Sequence, residues 1–160
     1  LGAELILEPG RFLVCRCGTY FTRILDKKIS RGTTFLIVQG GLNGFMRPCA
    51  ANLVKKFAGS VAFAAEPLIT NDNPCRFFVL NESTKQERVT ITGNLCSASD
   101  VLAQDVLVNE AETGDMLMVT NAGSYGYSLS LRDFAGQRTP KEFFQTTGLK
   151  ILLTHPQEIL

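Results

Sequence analysis

Residues 88–100 read RVTITGNLCSASD, and this stretch decides how the rest of the chain is interpreted. Its first half, Arg88–Thr92, alternates so that Val89 and Ile91 share one face, which predicts a strand with one buried side. Gly93 then breaks the pattern. The loop that follows carries a thiol, two hydroxyls and a carboxylate, on Cys96, Ser97, Ser99 and Asp100.

The chemistry of this loop is ambiguous when it is considered alone. A catalytic thiol needs a partner that favours the thiolate, and the single histidine, His155, is far away in sequence. The simpler interpretation makes Asp100 a structural hydrogen-bonding carboxylate and Ser99 the N-cap of one helical turn over 99–103.

Further apolar and β-branched segments, separated by Gly, Pro and Asn turns, predict a mainly β domain that forms a barrel or sandwich. The predicted strands are Glu4–Leu7, Thr33–Val38, Arg76–Leu80, Arg88–Thr92, Asp115–Thr120, Tyr125–Leu131 and Leu149–Leu153. Short helices are predicted at Phe12–Cys17 and 99–103, and at Thr139–Glu142, which resembles a capping box with proline at the first helical position. Segments 68–75 and 81–88 are predicted to be surface loops.

Length and composition indicate one soluble globular domain over residues 1–160. Hydrophobic residues make up 45% and charged residues 19% of the chain, which does not suggest disorder. The net charge is +1 and basic residues are not clustered, so we expect no nucleic-acid partner. No apolar run is long enough to cross a membrane, so no membrane association is expected.

The five cysteines, at positions 15, 17, 49, 75 and 96, contain no C-x-x-C pair. Their spacing and the single histidine argue against a structural metal, and the apolar content argues against a disulfide scaffold. We therefore expect reduced cysteines, a cytoplasmic protein and no metal. Each cysteine is most simply a small buried side chain.

Three other motifs each allow two interpretations. Glu8-Pro9-Gly10-Arg11 is either a solvated turn or an anion site with an adjacent carboxylate. Gly40-Gly41-Leu42-Asn43, followed by Arg47-Pro48, offers either a surface arginine or a bidentate ligand for a carboxylate. Tyr125 lies between glycines, which either lets a ligand approach its hydroxyl or places a core tyrosine at a strand corner.

The order of these motifs is more specific than any one of them. EPGR at 8–11, GGLN and RP at 40–48, GNLCSASD at 93–100 and NAGSYGYS at 121–128 together resemble the C-terminal half of the fold-type III pyridoxal-phosphate (PLP) decarboxylases. That family includes diaminopimelate, ornithine and arginine decarboxylases. The resemblance covers residues 4–145.

The resemblance implies a Greek-key β-barrel or sandwich like the C-terminal domain of alanine racemases, with a few short helices. In the family this domain follows an N-terminal (β/α)₈ barrel, and residues 4–11 would be the end of that barrel. The lysine that binds PLP and the glycine-rich phosphate loop belong to the barrel. The isolated chain is therefore expected to be an inactive part of a dimeric PLP-dependent amino-acid decarboxylase.

The resemblance also implies roles for the cofactor-binding residues. Glu8 would face the pyridine nitrogen of PLP and keep it protonated. Arg11 and the hydroxyl of Tyr125 would contact the cofactor phosphate.

Catalytic and substrate roles follow from the same comparison. Cys96 matches the family's active-site cysteine, which reaches into the partner subunit's site and acts near the substrate Cα. Arg47 matches the arginine that helps to hold the distal carboxylate of diaminopimelate. Asp100 matches an aspartate of the cysteine loop and, with Ser97 beside the thiol, is expected to bind the substrate.

Two departures from the family pattern bear on the substrate. Ser97 stands where diaminopimelate decarboxylases have Glu and ornithine decarboxylases have Asp. Cys49-Ala50-Ala51 stands where a tyrosine is expected. Both changes weaken the case for diaminopimelate or a simple diamine precursor as the substrate. The VQGGLN segment, the stretch 47–60 and the TGNLC loop instead resemble decarboxylases of siderophore, antibiotic or exopolysaccharide pathways, which act on larger or conjugated amino acids.

Two other functions stay open on the sequence. The domain is either a binding module that has kept the fold without the chemistry, or part of a PLP amino-acid racemase. The binding-module alternative predicts that Glu8, Arg11, Cys96 and Tyr125 scatter over the surface, whereas the decarboxylase predicts that they converge.

Overall fold

A computed structural model of the protein describes residues 2–58, 75–146 and 148–153. Within these ranges the chain is mostly β-structure. The strands are β1 Thr19–Ser30, β2 Thr33–Val38, β3 Phe77–Leu80, β4 Gln86–Thr92, β5 Val101–Asn109, β6 Met116–Thr120, β7 Glu142–Thr146 and β8 Leu149–Leu153. The helices are α1 Gly10–Val14 and α2 Met46–Ala58, and single 3₁₀ turns cover Cys15–Cys17 and Phe134–Gly136.

Six strands form one sheet in the order β3-β6-β1-β2-β4-β5, and β7 and β8 form a separate hairpin. All neighbours are antiparallel except β2 and β4, which are parallel. The outer strands β3 and β5 contact each other, so the sheet nearly closes into a barrel. The predicted mainly β barrel is therefore confirmed.

The strand register gathers the sequence motifs at one end of the sheet. Thr19, at the start of β1, pairs with Thr120, at the end of β6. Ile37 pairs with Thr92 as β2 and β4 end together, and Thr92 pairs with Val101 as β5 begins. We call the segments 10–18, 39–45, 93–100 and 121–131 the loop end, and the turns 31–32, 81–85 and 110–115 the far end.

The core follows from alternation along the strands. Leu36 and Val38 of β2, Val89 and Ile91 of β4, and Leu117 of β6 are each at most 1% exposed. Their neighbours in sequence are turned towards the other face, as the two-residue period requires. Helix α2 packs on β5, and the Asn52 amide donates to the carbonyls of Val101 (2.8 Å) and Leu102 (3.0 Å).

The predicted strands at 33–38, 76–80, 88–92, 115–120 and 149–153 match β2, β3, β4, β6 and β8 within two residues. The short helix predicted at Phe12–Cys17 is also found, as α1 and the 3₁₀ turn after it. Three long elements, β1, β5 and α2, had no counterpart in the prediction. Most of the predicted loop at 68–75 lies outside the described residues.

The helical turn predicted at 99–103 is wrong, because β5 begins at Val101. Ser99 caps no helix, and Val101 and Ala103 instead pair with β4. Sheet pairing across the chain has overridden a local helical preference, as it commonly does. The predicted loop at 81–88 is likewise shortened, because β4 begins at Gln86.

The strand predicted at Tyr125–Leu131 is also wrong, since these residues form consecutive turns. The amide of Leu129 donates to the carbonyl of Tyr125 (3.1 Å), and that of Ser130 donates to Tyr127 (3.2 Å). The Ser130 hydroxyl donates to the Gly126 carbonyl (2.7 Å). These local hydrogen bonds use backbone N–H and carbonyl groups that would otherwise pair with a neighbouring strand.

Two terminal expectations were also wrong. The capping box at Thr139–Glu142 starts no helix, because Glu142–Thr146 pairs with β8 as a hairpin. Glu4–Leu7 forms no strand, because no strand of the sheet pairs with it, and the segment 2–9 is exposed.

Candidate functional site

Helix α1 and the turn after it lie against the 121–126 segment. The amide of Ala122 donates to the Gly18 carbonyl (2.9 Å), and that of Gly123 donates to the Cys15 carbonyl (3.0 Å). A Cβ at Gly123 would overlap the carbonyl of Val14. Glycine is therefore required where these two backbones cross.

Arg11 and Tyr125, which are 114 positions apart in sequence, meet at this crossing. The guanidinium carbon of Arg11 lies 5.7 Å from the centre of the Tyr125 ring, which is within cation–π range. The Arg11 Nε is enclosed and finds no hydrogen-bond partner among the residues that the structure describes. A guanidinium beside an exposed phenol is an arrangement that suits an anion.

The backbone of Tyr125 is unusual, with a φ of +57° in the left-handed region. A bulky side chain is uncommon there, and such strain often accompanies a functional position. The residue is 57% exposed, so burial of the side chain does not account for the strain. The alternative of a core tyrosine at a strand corner is therefore excluded.

Side chains of β1 hold the GGLN turn in place. The Tyr20 hydroxyl donates to the Gly40 carbonyl (3.0 Å), and the Gly40 amide donates to the Thr22 hydroxyl (3.0 Å). Burial raises the pKa of Tyr20 to about 12, so the phenol stays neutral. A side chain at Gly44 would overlap the same hydroxyl.

Asp100 joins the GGLN turn to the cysteine loop. Its Oδ1 accepts from the amide of Leu42 (2.6 Å), and its Oδ2 accepts from the amide of Leu95 (2.9 Å). The residue is 2% exposed. Its backbone also closes the loop, because the Gly93 amide donates to the Asp100 carbonyl (3.0 Å) and the Asp100 amide to the Ser97 carbonyl (3.1 Å).

Cys96 lies at the tip of that loop and is exposed, whereas Ser97 is half-buried beside it. The Ser97 hydroxyl accepts from the amide of Ser99 (3.2 Å), which shapes the turn. The thiol is thus presented outward by a loop whose base is held by Asp100.

Arg47 lies in the first turn of α2 and is 8% exposed. Its positive charge interacts electrostatically with the buried thiol of Cys75. Burial raises the pKa of that thiol to about 11, and the guanidinium opposes the increase. Burial also raises the pKa of Cys49, in the same turn of α2 as Arg47.

The four motifs therefore form one continuous set of contacts. Arg11 meets Tyr125, and the 121–131 segment reaches α2 through the Met46 amide, which donates to the Ser130 hydroxyl (3.0 Å). The Leu131 amide donates to the Leu42 carbonyl (3.3 Å), and Leu42 contacts Asp100. Glu8 lies apart from these contacts, on the exposed segment 2–9.

Sequence reasoning missed the roles of Gly41 and Gly93. A Cβ at either position would overlap the Asp100 carboxylate. A glycine in each of two motif loops was a signal of close approach, but the sequence did not reveal which group approaches.

All five cysteines are free, as expected. Cys49 and Cys75 are buried, but Cys17 and Cys96 are exposed, so the expectation of a buried side chain fails for these two. Among the described residues no cluster of His, Cys, Asp and Glu could hold a metal ion. No described helix is long and apolar enough to span a membrane.

Comparison with protein families gives a match over residues 12–123 to the C-terminal sheet domain of pyridoxal-dependent decarboxylases. The matched residues include the loop end except for residues 10–11 and 124–131.

Two curated relatives match along most of the chain. L-glutamyl-[BtrI acyl-carrier protein] decarboxylase of Niallia circulans is 32% identical over 89% of this chain and 31% of its own length. The 2-[(L-alanin-3-ylcarbamoyl)methyl]-2-hydroxybutanedioate decarboxylase of Staphylococcus aureus is 33% identical over 91% of this chain and 34% of its own length. The chain thus spans about a third of the length of these relatives.

Among solved structures, diaminopimelate decarboxylase from M. jannaschii, in complex with L-lysine, matches with a TM-score of 0.70. The sequence identity is 22%, and the match covers 89% of this chain and 28% of that enzyme. This likeness supports the same fold.

Proposed function

This chain belongs to the C-terminal sheet domains of the pyridoxal-dependent decarboxylases, and we propose that it completes the active site of a PLP-dependent amino-acid decarboxylase. The observation that carries the proposal is the meeting of Arg11 and Tyr125 at 5.7 Å, on the same end of the sheet as Cys96. In the full protein this domain follows a barrel domain that supplies the PLP-binding lysine. The protein is a cytoplasmic homodimer in this proposal.

The described residues fit the cofactor's phosphate group. Arg11 has an enclosed Nε without a partner among them, and Tyr125 presents its ring outward beside the guanidinium. Arg11 and Tyr125 would hold the phosphate through charge-assisted hydrogen bonds. Glu8 would pair with the pyridine nitrogen, and its position on the exposed segment 2–9 leaves the carboxylate accessible for that pairing.

When bound, PLP would accept the electron pair that remains on the substrate Cα after carbon dioxide leaves. The residues of this chain position groups and move a proton. Cys96, exposed at its loop tip, delivers a proton at the substrate Cα, in the partner subunit's site. Ser97 and Arg47 contribute to substrate binding, with Arg47 acting through its charge because its side chain is buried.

We infer that the substrate is an amino acid with a conjugated side chain. The names of the two relatives describe an L-glutamyl group on an acyl-carrier protein and an alanine linked through a carbamoyl group. Ser97 is a neutral group at a position where a charged end of a free diamino acid would need a carboxylate. A neutral hydroxyl instead suits an amide or ester of a conjugate.

The proposal is tested on the full-length protein as purified. A yellow chromophore that borohydride reduces, together with release of carbon dioxide from a panel of free and conjugated amino acids, is the expected result. A colourless protein that stays colourless with added PLP would reject the decarboxylase and favour a binding module. Epimerisation of an amino acid without carbon dioxide release would indicate the racemase.

The phosphate site is tested by Arg11→Gln, which removes the charge and keeps most of the volume. We expect the affinity for PLP to fall by about 10- to 100-fold, as befits loss of a charge-assisted contact. Arg132→Gln is the matched control, because Arg132 also lies over a tyrosine ring, 4.5 Å from the centre of Tyr127. Equal losses in both variants, measured by equilibrium titration of absorbance, would contradict the assignment.

A further inference from the structure

We propose that Asp100 is a positioning residue for Cys96, and that it contacts the backbone of two loops instead of the substrate. This inference rests on the proposed function, in which Cys96 acts at the substrate Cα. It changes the role expected of Asp100 from a substrate ligand to the residue that sets where the thiol lies.

The carboxylate of Asp100 is not accessible to a ligand in this arrangement. One oxygen accepts from Leu42 at 2.6 Å and the other from Leu95 at 2.9 Å, and the side chain is enclosed, with the residue 2% exposed. Leu95 directly precedes Cys96, so the second bond fixes the backbone next to the thiol. The first bond fixes that loop to the GGLN turn, which is 58 positions away in sequence.

The two loops are built around this carboxylate. A Cβ at Gly41 or at Gly93 would overlap it, so the approach of both backbones depends on glycine. Neither glycine has a positive φ, and steric room for Asp100 is thus the reason that glycine is required at both positions. The contact ties Cys96 to β2 through Gly40 and Gly41, and so to the rigid sheet.

The consequence for chemistry is that the backbone next to the thiol is held to the GGLN turn. Displacing a catalytic group by about 1 Å can lower the reaction rate by about 100-fold. A carboxylate that holds two neutral amides makes the stronger, charge-assisted kind of hydrogen bond. Asp100 is thereby suited to prevent such displacement.

The experiment uses the full-length enzyme with Asp100→Asn, Cys96→Ala and the double variant. Asparagine keeps the volume but turns an NH₂ group towards one of the two amides. We expect kcat to fall by about 10- to 100-fold with KM changed by less than about threefold. In the double variant, kcat should be no lower than in Cys96→Ala alone, because Asp100 acts through Cys96.

Asp115→Asn is the matched control at the far end. The Oδ2 of Asp115 accepts from the Glu112 amide (2.9 Å) and the Asn81 side chain (2.7 Å), far from the thiol. We expect its kcat to equal that of the parent. Multiplicative losses in the double variant, or an equal loss in Asp115→Asn, would overturn the proposal because either would indicate a general structural effect.

A readout independent of turnover separates this proposal from the proposed function. The rate at which iodoacetamide modifies Cys96, followed by peptide mass spectrometry, should change by about fivefold or more in Asp100→Asn and stay unchanged in Asp115→Asn. An unchanged rate in both variants overturns the positioning role even in an active enzyme. A changed rate in a protein that binds no PLP supports it while rejecting the decarboxylase.

If Asp100→Asn does not fold, the unmodified protein still decides the question. Amide hydrogen exchange at Leu42 and Leu95 should be strongly protected and should increase together as urea is raised. Fast exchange at either amide would contradict a carboxylate that holds both.

Discussion

At the far end of the sheet, turns are held by side chains that water partly reaches, whereas at the loop end they are held by backbone amides around a buried carboxylate. The Lys27 Nζ lies 2.9 Å from the Glu87 Oε1 and also donates to the Ala111 carbonyl (2.9 Å). The loop end uses Asp100, which has both oxygens on neutral amides.

Most of the predicted functional groups lie at the loop end, among them Arg11, Cys96 and Tyr125. The loop end holds the three cysteines Cys15, Cys17 and Cys96, the strained Tyr125, and the glycine pairs whose backbones cross. The far end has ordinary ion pairs and the hairpin turn at Arg31-Gly32, where two positive φ values fit a two-residue turn. Strained backbone, such as that of Tyr125, persists only where the surrounding structure holds it in place.

The largest expected effect is on the free energy of unfolding when the carboxylate at either end is removed. Asp100→Ala leaves two buried amides without a partner, and we expect the free energy of unfolding to fall by about 4 kcal/mol. Asp115→Ala should cost about 1 kcal/mol, because water can reach the groups that it leaves behind. Urea unfolding of the full-length protein measures both, and equal costs would remove the distinction between the two ends.

The second prediction concerns alkaline pH. Burial raises the pKa of Cys75 from its ordinary 9.0 to about 11, so the folded protein keeps a neutral thiol where the unfolded chain ionises. The stability that this group contributes is complete below about pH 9 and is lost between about pH 9 and 11, by about 3 kcal/mol in total.

Cys75→Ala tests this effect because alanine cannot ionise. The variant should lose less stability than the parent between pH 9 and 11, as measured by urea unfolding at each pH. Cys17→Ala is the matched control, since Cys17 is exposed and its removal should leave the dependence unchanged. A parent and a Cys75→Ala variant with parallel pH profiles would refute the assignment.

The smallest expected effect compares the strained residues of the two ends. Arg31 (φ +50°) and Tyr125 (φ +57°) both occupy the left-handed region, in which asparagine is more comfortable. Arg31→Asn should raise the free energy of unfolding by about 0.5 kcal/mol and leave PLP affinity unchanged.

Tyr125→Asn should gain no stability, because the ring contact with Arg11 is lost as the strain is relieved. It should also weaken PLP binding. If this variant became more stable and kept its PLP affinity, the strain at Tyr125 would belong to the turn alone.

Much of the sheet was predictable because its signal is local. The alternation at 88–92 placed Val89 and Ile91 in the core, and Thr33–Val38 was found with its exact bounds. Alternation failed at Tyr125–Leu131, where serine and glycine satisfy the backbone within consecutive turns. A two-residue period predicts a strand only where a neighbouring strand is present to pair with it.

The site was predictable in its residues but not in its contacts. The order of motifs selected Arg11, Cys96, Asp100 and Tyr125, but the bond from Leu42 to Asp100 joins positions 58 residues apart. No local pattern encodes such a partner. Arg47 shows the same limit, because its burial beneath the turn depends on how α2 packs, and α2 itself was not predicted.

The groups that cover the edge of the outer strand β5 affect how the protein behaves at high concentration. An open strand edge offers unpaired carbonyls and amides to another chain and so invites aggregation. Here Asn52 occupies two carbonyls at the start of β5, and β3 lies against the strand. The left-handed Asp105 marks an irregularity in its pairing with β4. The edge is therefore a poor template for intermolecular β-pairing, which favours solubility during synthesis and storage.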